Sequence, residues 1–116
     1  MIVENSNNLI GREFISSEAK ATFMKALVSP KEGWEGYVMR EVEVGENGYT
    51  PKHKHPWPHI NYVLEGVGEI LIDGKINEVS KGSYAYIPSD SLHQFRNTGN
   101  KIFKFICIVP EDGHVY

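Results

Sequence analysis

The residues best equipped for chemistry lie in HKHPWPH, residues 53–59, which holds three of the chain's five histidines. His53 and His55 are two apart, so on a strand both rings lean to the same face. His59 has the same parity. Pro56-Trp57-Pro58 is no regular central strand, because proline lacks the ladder N–H and fixes φ. The chain is therefore expected to turn there and to open its next strand at His59. A neighbouring strand lies about 4.8 Å away, which brings a third imidazole within reach of the first two. His93 begins a later strand, after the proline-ended YIPSDSL. Imidazoles that converge from separate strands make a metal site, suited to Zn, Cu, Fe, Ni or Mn. A histidine-rich surface loop can arise without any metal, but three same-parity histidines around a rigid turn favour binding. His114, in the C-terminal EDGHVY, has no such context and reads as a solvated tail residue.

The elements that must position these rings are strands. The 116 residues amount to one domain, long enough for a real core. A net charge of −3 leaves no basic footprint for nucleic acid. No apolar run approaches the ~20 residues of a membrane helix. The polar start MIVENSNNLIGREF has no signal-peptide pattern, so a cytoplasmic setting is the default expectation. The single Cys107, inside FKFICIV, reads as a buried and inert thiol. Residues 1–18 read as a polar N-terminal arm and 19–116 as a single β-barrel domain. AKATFMKALV, residues 19–28, suits a helix by composition, yet Ala21, Phe23, Lys25 and Leu27 alternate as in a strand. SPKEGWEG then reads as a turn. YVMREVEV puts Val38, Arg40, Val42 and Val44 on one face. INYVLEG, VGEILIDG, KINEVS, SYAYIP, HQFRN and KIFKFICIV follow in quick succession, with a hairpin signal at Asp73-Gly74. Strands this short and closely spaced predict an all-β antiparallel sandwich or barrel, without room for crossover helices.

Residues 45–97 resemble the cupin family. The first family motif has a leading glycine, H-x-H, three or four residues, Glu, six residues and Gly. Here His53-Lys54-His55 supplies H-x-H and Gly66 closes the motif, with Gly45 and Gly48 flanking the leading position. His59 stands where the family usually has glutamate. The second motif, G-x5-P-x-G-x2-H-x3-N, is met by Gly82, Pro88, His93 and Asn97, with Asp90 replacing the middle glycine. The motifs occupy 45–66 and 82–97. The resemblance implies a jelly-roll β-barrel with His53, His55, His59 and His93 as metal ligands. It is strongest to small single-domain bacterial cupins with a four-histidine site, which implies one divalent transition metal per chain, manganese first and Fe, Ni, Cu or Zn as alternatives. It also implies a homodimer. Four neutral imidazoles would leave the full metal charge uncompensated, favouring anionic ligands or acidified water.

Strand parity suggests what shares the cavity. Phe95 follows His93 by two, and Phe103, Phe105 and Cys107 share one face of the last strand, with Lys104 marking the other as outer. Arg40, on an otherwise apolar face, is either an anion anchor or a snorkelling surface residue. The resemblance tips it towards the anchor and adds Thr50 and Phe105 to the pocket. Trp57 is expected either to cap the mouth or to staple the turn. Tyr86 is a candidate pocket residue and proton shuttle, with plain packing as the alternative. The expected function is that of a metal-dependent oxidoreductase, dioxygenase-like, acting on a small anionic organic molecule. The alternatives are a non-redox isomerase or lyase and a non-catalytic small-molecule sensor.

Overall fold

The computed structural model describes residues 1–114. Among them run nine strands: β1 (Arg12–Glu13), β2 (Lys20–Val28), β3 (Tyr37–Tyr49), β4 (His59–Glu65), β5 (Val67–Ile72), β6 (Lys75–Ser80), β7 (Tyr84–Ile87), β8 (His93–Asn97) and β9 (Phe103–Pro110). They pair antiparallel in the order β6-β5-β8-β3-β9-β4-β7, with β2 on β3 and β1 on β2, and curl into a nearly closed barrel. No helix among the described residues is long and apolar enough to cross a membrane.

Two-residue alternation explains which side chains fill the barrel. Along β9 every second residue is buried, so Phe103, Phe105, Cys107 and Val109 face in, while Lys104 faces out towards Glu41, Glu43 and Glu65. Phe105 stacks on Phe95 with ring centroids 4.3 Å apart, and Val42, Val44, Val63, Ile70 and Ile87 close the core around them. The Asp73-Gly74 hairpin forms as its composition demands, with both residues at positive φ (47° and 84°) and Ile72 paired to Lys75. At the β4–β5 junction, Gly66 adopts φ +83°, and a Cβ there would lie 2.3 Å from the Ile102 carbonyl oxygen. Only glycine fits that position.

β2 resolves the ambiguity of residues 19–28 in favour of a strand. Thr22 is buried and Met24 packs on the core, whereas Phe23 is 38% exposed on the outer surface. The reason lies in what covers each face. Thr22 Oγ1 satisfies itself by donating among the Lys20 and Tyr49 carbonyls, and Met24 reaches the histidine pocket. The outer residues are covered by the N-terminal arm. Gly11 lies over Phe23, Lys25 Nζ donates to the Ser6 carbonyl at 2.8 Å, and β1 pairs Arg12 and Glu13 with Met24 and Phe23. The arm therefore lies along the sheet for part of its length.

Candidate metal centre

His53 and His93 are held opposite each other by a reciprocal backbone bridge, with N···O distances of 3.1 and 2.9 Å. His55 fixes the next turn, since its carbonyl accepts from the Asp90 N–H at 2.8 Å. Asp90 has φ +64°, the left-handed conformation in which glycine is the common choice and aspartate is tolerated. His59 opens β4 as its parity requires, opposite Ile87 of β7. One ring nitrogen each of His53, His55 and His93 lies within 4.8 Å of the others. His59 stands outside that trio but beside it, its ring centroid 4.7 Å from that of His93 and 5.4 Å from that of His55.

Hydrogen bonds fix which nitrogen each ring presents. His93 Nδ1 lies 2.8 Å from the Ser91 carbonyl, and His55 Nδ1 lies 3.0 Å from the Trp57 carbonyl. His59 Nδ1 lies 2.7 Å from Asn61 Oδ1. The Asn61 amide is oriented by its own donation to the Ile106 carbonyl at 3.4 Å, so its oxygen faces the histidine. Each Nδ1 must then carry the proton and donate, which leaves Nε2 as a lone-pair atom. The Nε2 atoms of His59 and His93 nevertheless face each other at 3.1 Å. Two lone pairs at that separation repel unless a cation lies between them. Nitrogens bonded to one ion at ~2.1 Å and about 90° apart would stand roughly 3 Å from each other. The donor set therefore fits a divalent metal, with the Nδ1 contacts acting as the outer shell that such ligands require.

Electrostatics agree. Burial, chiefly, pushes His53, His59 and His93 down to about 4, and the neighbouring histidines push His53 and His93 the same way. His55 is also lowered, first by burial. Rings that resist protonation are the form in which histidine binds metal.

The histidines line a cavity of about 370 Å³ with Arg40, Thr50, Trp57, Phe95, Phe105 and Cys107. Arg40 enters from β3 beside Cys107, its NH2 donating to Sγ at 3.0 Å. No carboxylate pairs with Arg40 among the described residues, and its Nε is buried without a partner. Thr50 is committed to structure: its Oγ1 accepts from Phe95 N–H at 2.9 Å, tying the segment after β3 to β8.

A cupin domain model matches residues 40–109, more than half of the chain. The chain belongs to the cupin family. Its jelly-roll fold is shared with the polyketide cyclase RemF of Streptomyces resistomycificus, at 29% identity and a TM-score of 0.89, over 96% of this chain and 80% of that one. A predicted oxalate decarboxylase of Thermotoga maritima has the same fold at 21% identity and a TM-score of 0.85, covering 94% of this cupin and 98% of that chain. Among sequence relatives, an uncharacterized protein of Methanocaldococcus jannaschii is 37% identical over 70 residues. That stretch is 60% of this cupin and 56% of the relative, so the match spans little more than half the relative's length.

Two sequence expectations are corrected. Tyr86 does not line the cavity of this cupin. It is 62% exposed, because Ala85 and Ile87 take the inward positions of β7. His114 is no solvated tail residue. Pro110 ends β9, the turn Glu111–Gly113 folds back so that Gly113 meets the Trp57 ring, and His114 is buried. Its pKa is lowered, first by burial and then by Arg40, Arg12 and Lys31. Trp57 stacks on His55 with centroids 4.5 Å apart and an 11° tilt, so it both lines the cavity and clamps a ring. The sequence reading missed Asn61, Met24 and Phe14. Asn61 shares the parity of His59 on β4, a signal that was there to use. Phe14 reaches the cavity rim from the arm, held by its N–H donating to the Thr22 carbonyl at 2.8 Å.

Proposed function

We propose that this cupin is a metal-dependent enzyme that acts on a small, anionic organic molecule with an apolar body. The observation that carries the reading is the His59–His93 pair, two Nε2 lone pairs facing each other at 3.1 Å with both Nδ1 atoms engaged. His53, His55, His59 and His93 would hold one divalent transition ion, manganese favoured by the sequence resemblance. When bound, such an ion supplies Lewis-acid polarisation of a substrate oxygen and acidification of water. Arg40, without a carboxylate of its own, would take the substrate's charge. Phe95 and Phe105 would pack its apolar part and exclude water. Trp57 and Phe14 would close the rim.

We favour non-redox carbonyl chemistry, a ring closure or isomerisation, over oxidation. The likeness to a polyketide cyclase over nearly the whole chain supports this. With Tyr86 outside, no tyrosine or carboxylate among the described residues lines the cavity as a proton shuttle, and water and the Cys107 thiol beside Arg40 would carry the proton. The deciding experiment compares zinc-loaded with manganese- and iron-loaded protein on a panel of β-keto acids and polyketide-like acids while following dissolved oxygen. Turnover with zinc and no oxygen uptake is expected. Oxygen consumption only with manganese or iron would establish the oxidative reading instead. A retained ligand without turnover under any metal would make the chain a sensor.

We also infer a homodimer. Ile60 and Tyr62 of β4 pair with Tyr86 and Tyr84 of the edge strand β7, and all four are about half exposed or more (52%, 49%, 62% and 81%). An outward aromatic face on an unpaired edge is a surface that proteins usually cover. Sedimentation tests the dimer: a Tyr84→Glu, Tyr86→Glu variant should be monomeric.

A further inference from the structure

On the far side of the sheet from the histidines, the N-terminal arm and the outer faces of β2 and β3 enclose a cavity of about 440 Å³. Its apolar wall is Ile2 and Leu9 from the arm and Leu27, Val28 and Met39 from the sheet; Glu4, Asn5 and Ser6 of the arm make a polar rim, where Glu4 Oε1 already accepts from Asn5 N–H and Asn8 Nδ2 at 2.8 Å each. Glu41 lines the same cavity. This carboxylate is only 4% exposed, and its Oε1 is fully buried without a hydrogen-bond partner. Its nearest cation, Lys104 Nζ, lies 3.9 Å away and is closer to Glu43 at 3.5 Å and to Glu65 at 3.1 Å. Lys25, 3.9 Å from Glu43, is the other ammonium of this group and donates to the Ser6 carbonyl. Among the described residues the cluster thus sets three carboxylates (Glu41, Glu43, Glu65) against two ammonium groups. A buried carboxylate with no donor is costly, and native proteins supply such a group with a partner.

We infer that this cavity is a second binding site, for a small organic monocation: a primary ammonium with a short alkyl body. The ammonium would pair with the Glu41 carboxylate and bring the cluster to charge balance. The alkyl chain would lie between Leu9 of the arm and Leu27 and Val28 of β2. A carboxylate or an alcohol of the same length would meet the same apolar walls but not the charge. The site is independent of the histidine cavity and of the metal.

The test uses the 116-residue chain and n-hexylammonium, with n-hexanol and n-hexanoate as comparators, followed by calorimetry and by amide NMR shifts. Hexylammonium should bind with shifts centred on Leu9, Leu27 and Val28, about ten-fold or more tighter than hexanol. Hexanoate should not bind there. Glu41→Gln, nearly isosteric, should reduce hexylammonium binding to the level of hexanol. Leu9→Ala, in the arm and outside the barrel core, should weaken both probes several-fold. Equal binding of hexylammonium and hexanol, or binding untouched by Glu41→Gln, would overturn the proposal. So would a monomer–dimer equilibrium that shifts on Glu41→Gln while hexylammonium fails to bind, since a second copy's cation would then be the occupant.

Discussion

His59 and His93 meet through their Nε2 atoms at 3.1 Å while the Nδ1 of each is tied to an oxygen, Asn61 Oδ1 in one case and the Ser91 carbonyl in the other. This arrangement is unfavourable as bare imidazoles and favourable around a cation. It makes Asn61, buried at 1% exposure, the residue that sets the tautomer of the fourth histidine. Asn61→Ala should leave the barrel folded and weaken metal affinity by about 10- to 100-fold. Competition against a chelator measures this. An unchanged affinity would show that His59 is not a ligand through Nε2.

Arg40 should act on anion and metal with opposite signs. Its charge lowers the pKa of His53, His55 and His59, and it would repel a bound cation in the same way. Arg40→Met should therefore tighten metal binding modestly and abolish binding of carboxylate probes at the histidine cavity. Titration of the metal-loaded variant with acetoacetate checks both. Loss of metal and anion together would mean that Arg40 only props the site.

Acid should act on the metal-free protein and on metal retention in different windows. His53, His59 and His93 are held at about 4, below their ordinary 6.5. Between those values the unfolded chain binds more protons than the native one. Stability of the metal-free protein should therefore fall as pH drops from about 6.5 to about 4, and level off below. Protons compete with metal only beneath the ligands' own values, so metal should stay to about pH 5 and leave through about pH 4. Thermal melts of chelated protein and metal content after dialysis read the two. A melting temperature flat across this range would contradict the lowered values.

Gly66→Ala tests how the strands close. The added Cβ meets backbone at Ile102 and the residue needs φ +83°, so neither relaxation nor rotamer choice relieves it. The loss should exceed ~1 kcal/mol, the most that a conformationally compatible glycine-to-alanine replacement gains. Chemical denaturation measures it, and a neutral result would mean that the β4–β5 junction yields easily.

The site was more legible in the sequence than its surroundings. The Pro56-Trp57-Pro58 break marked where the chain turns and where His59 opens β4, because proline geometry is a local rule; strand alternation does not account for His53 and His55, which lie outside any strand apart from the single His53–His93 bridge. Alternation in residues 19–28 was legible, but not which face turns inward, because the N-terminal arm that lies against Phe23 and Leu27 from outside is a tertiary contact. The burial of His114 depends on a turn that packs Gly113 against Trp57, a contact between residues 56 apart in the chain. Tyr86 lies outside because Ile87 and Ala85 take the inward positions of β7, a phase that the short run SYAYIP does not reveal by itself.

Elemental analysis of the purified chain, wild type beside His93→Ala and His59→Ala, tests the central claim most directly. One divalent transition ion per wild-type chain is predicted, lost in His93→Ala and lost or strongly reduced in His59→Ala. A wild-type chain that takes up no transition ion when one is supplied, or a His59→Ala variant that holds it as tightly as wild type, would contradict the four-histidine centre.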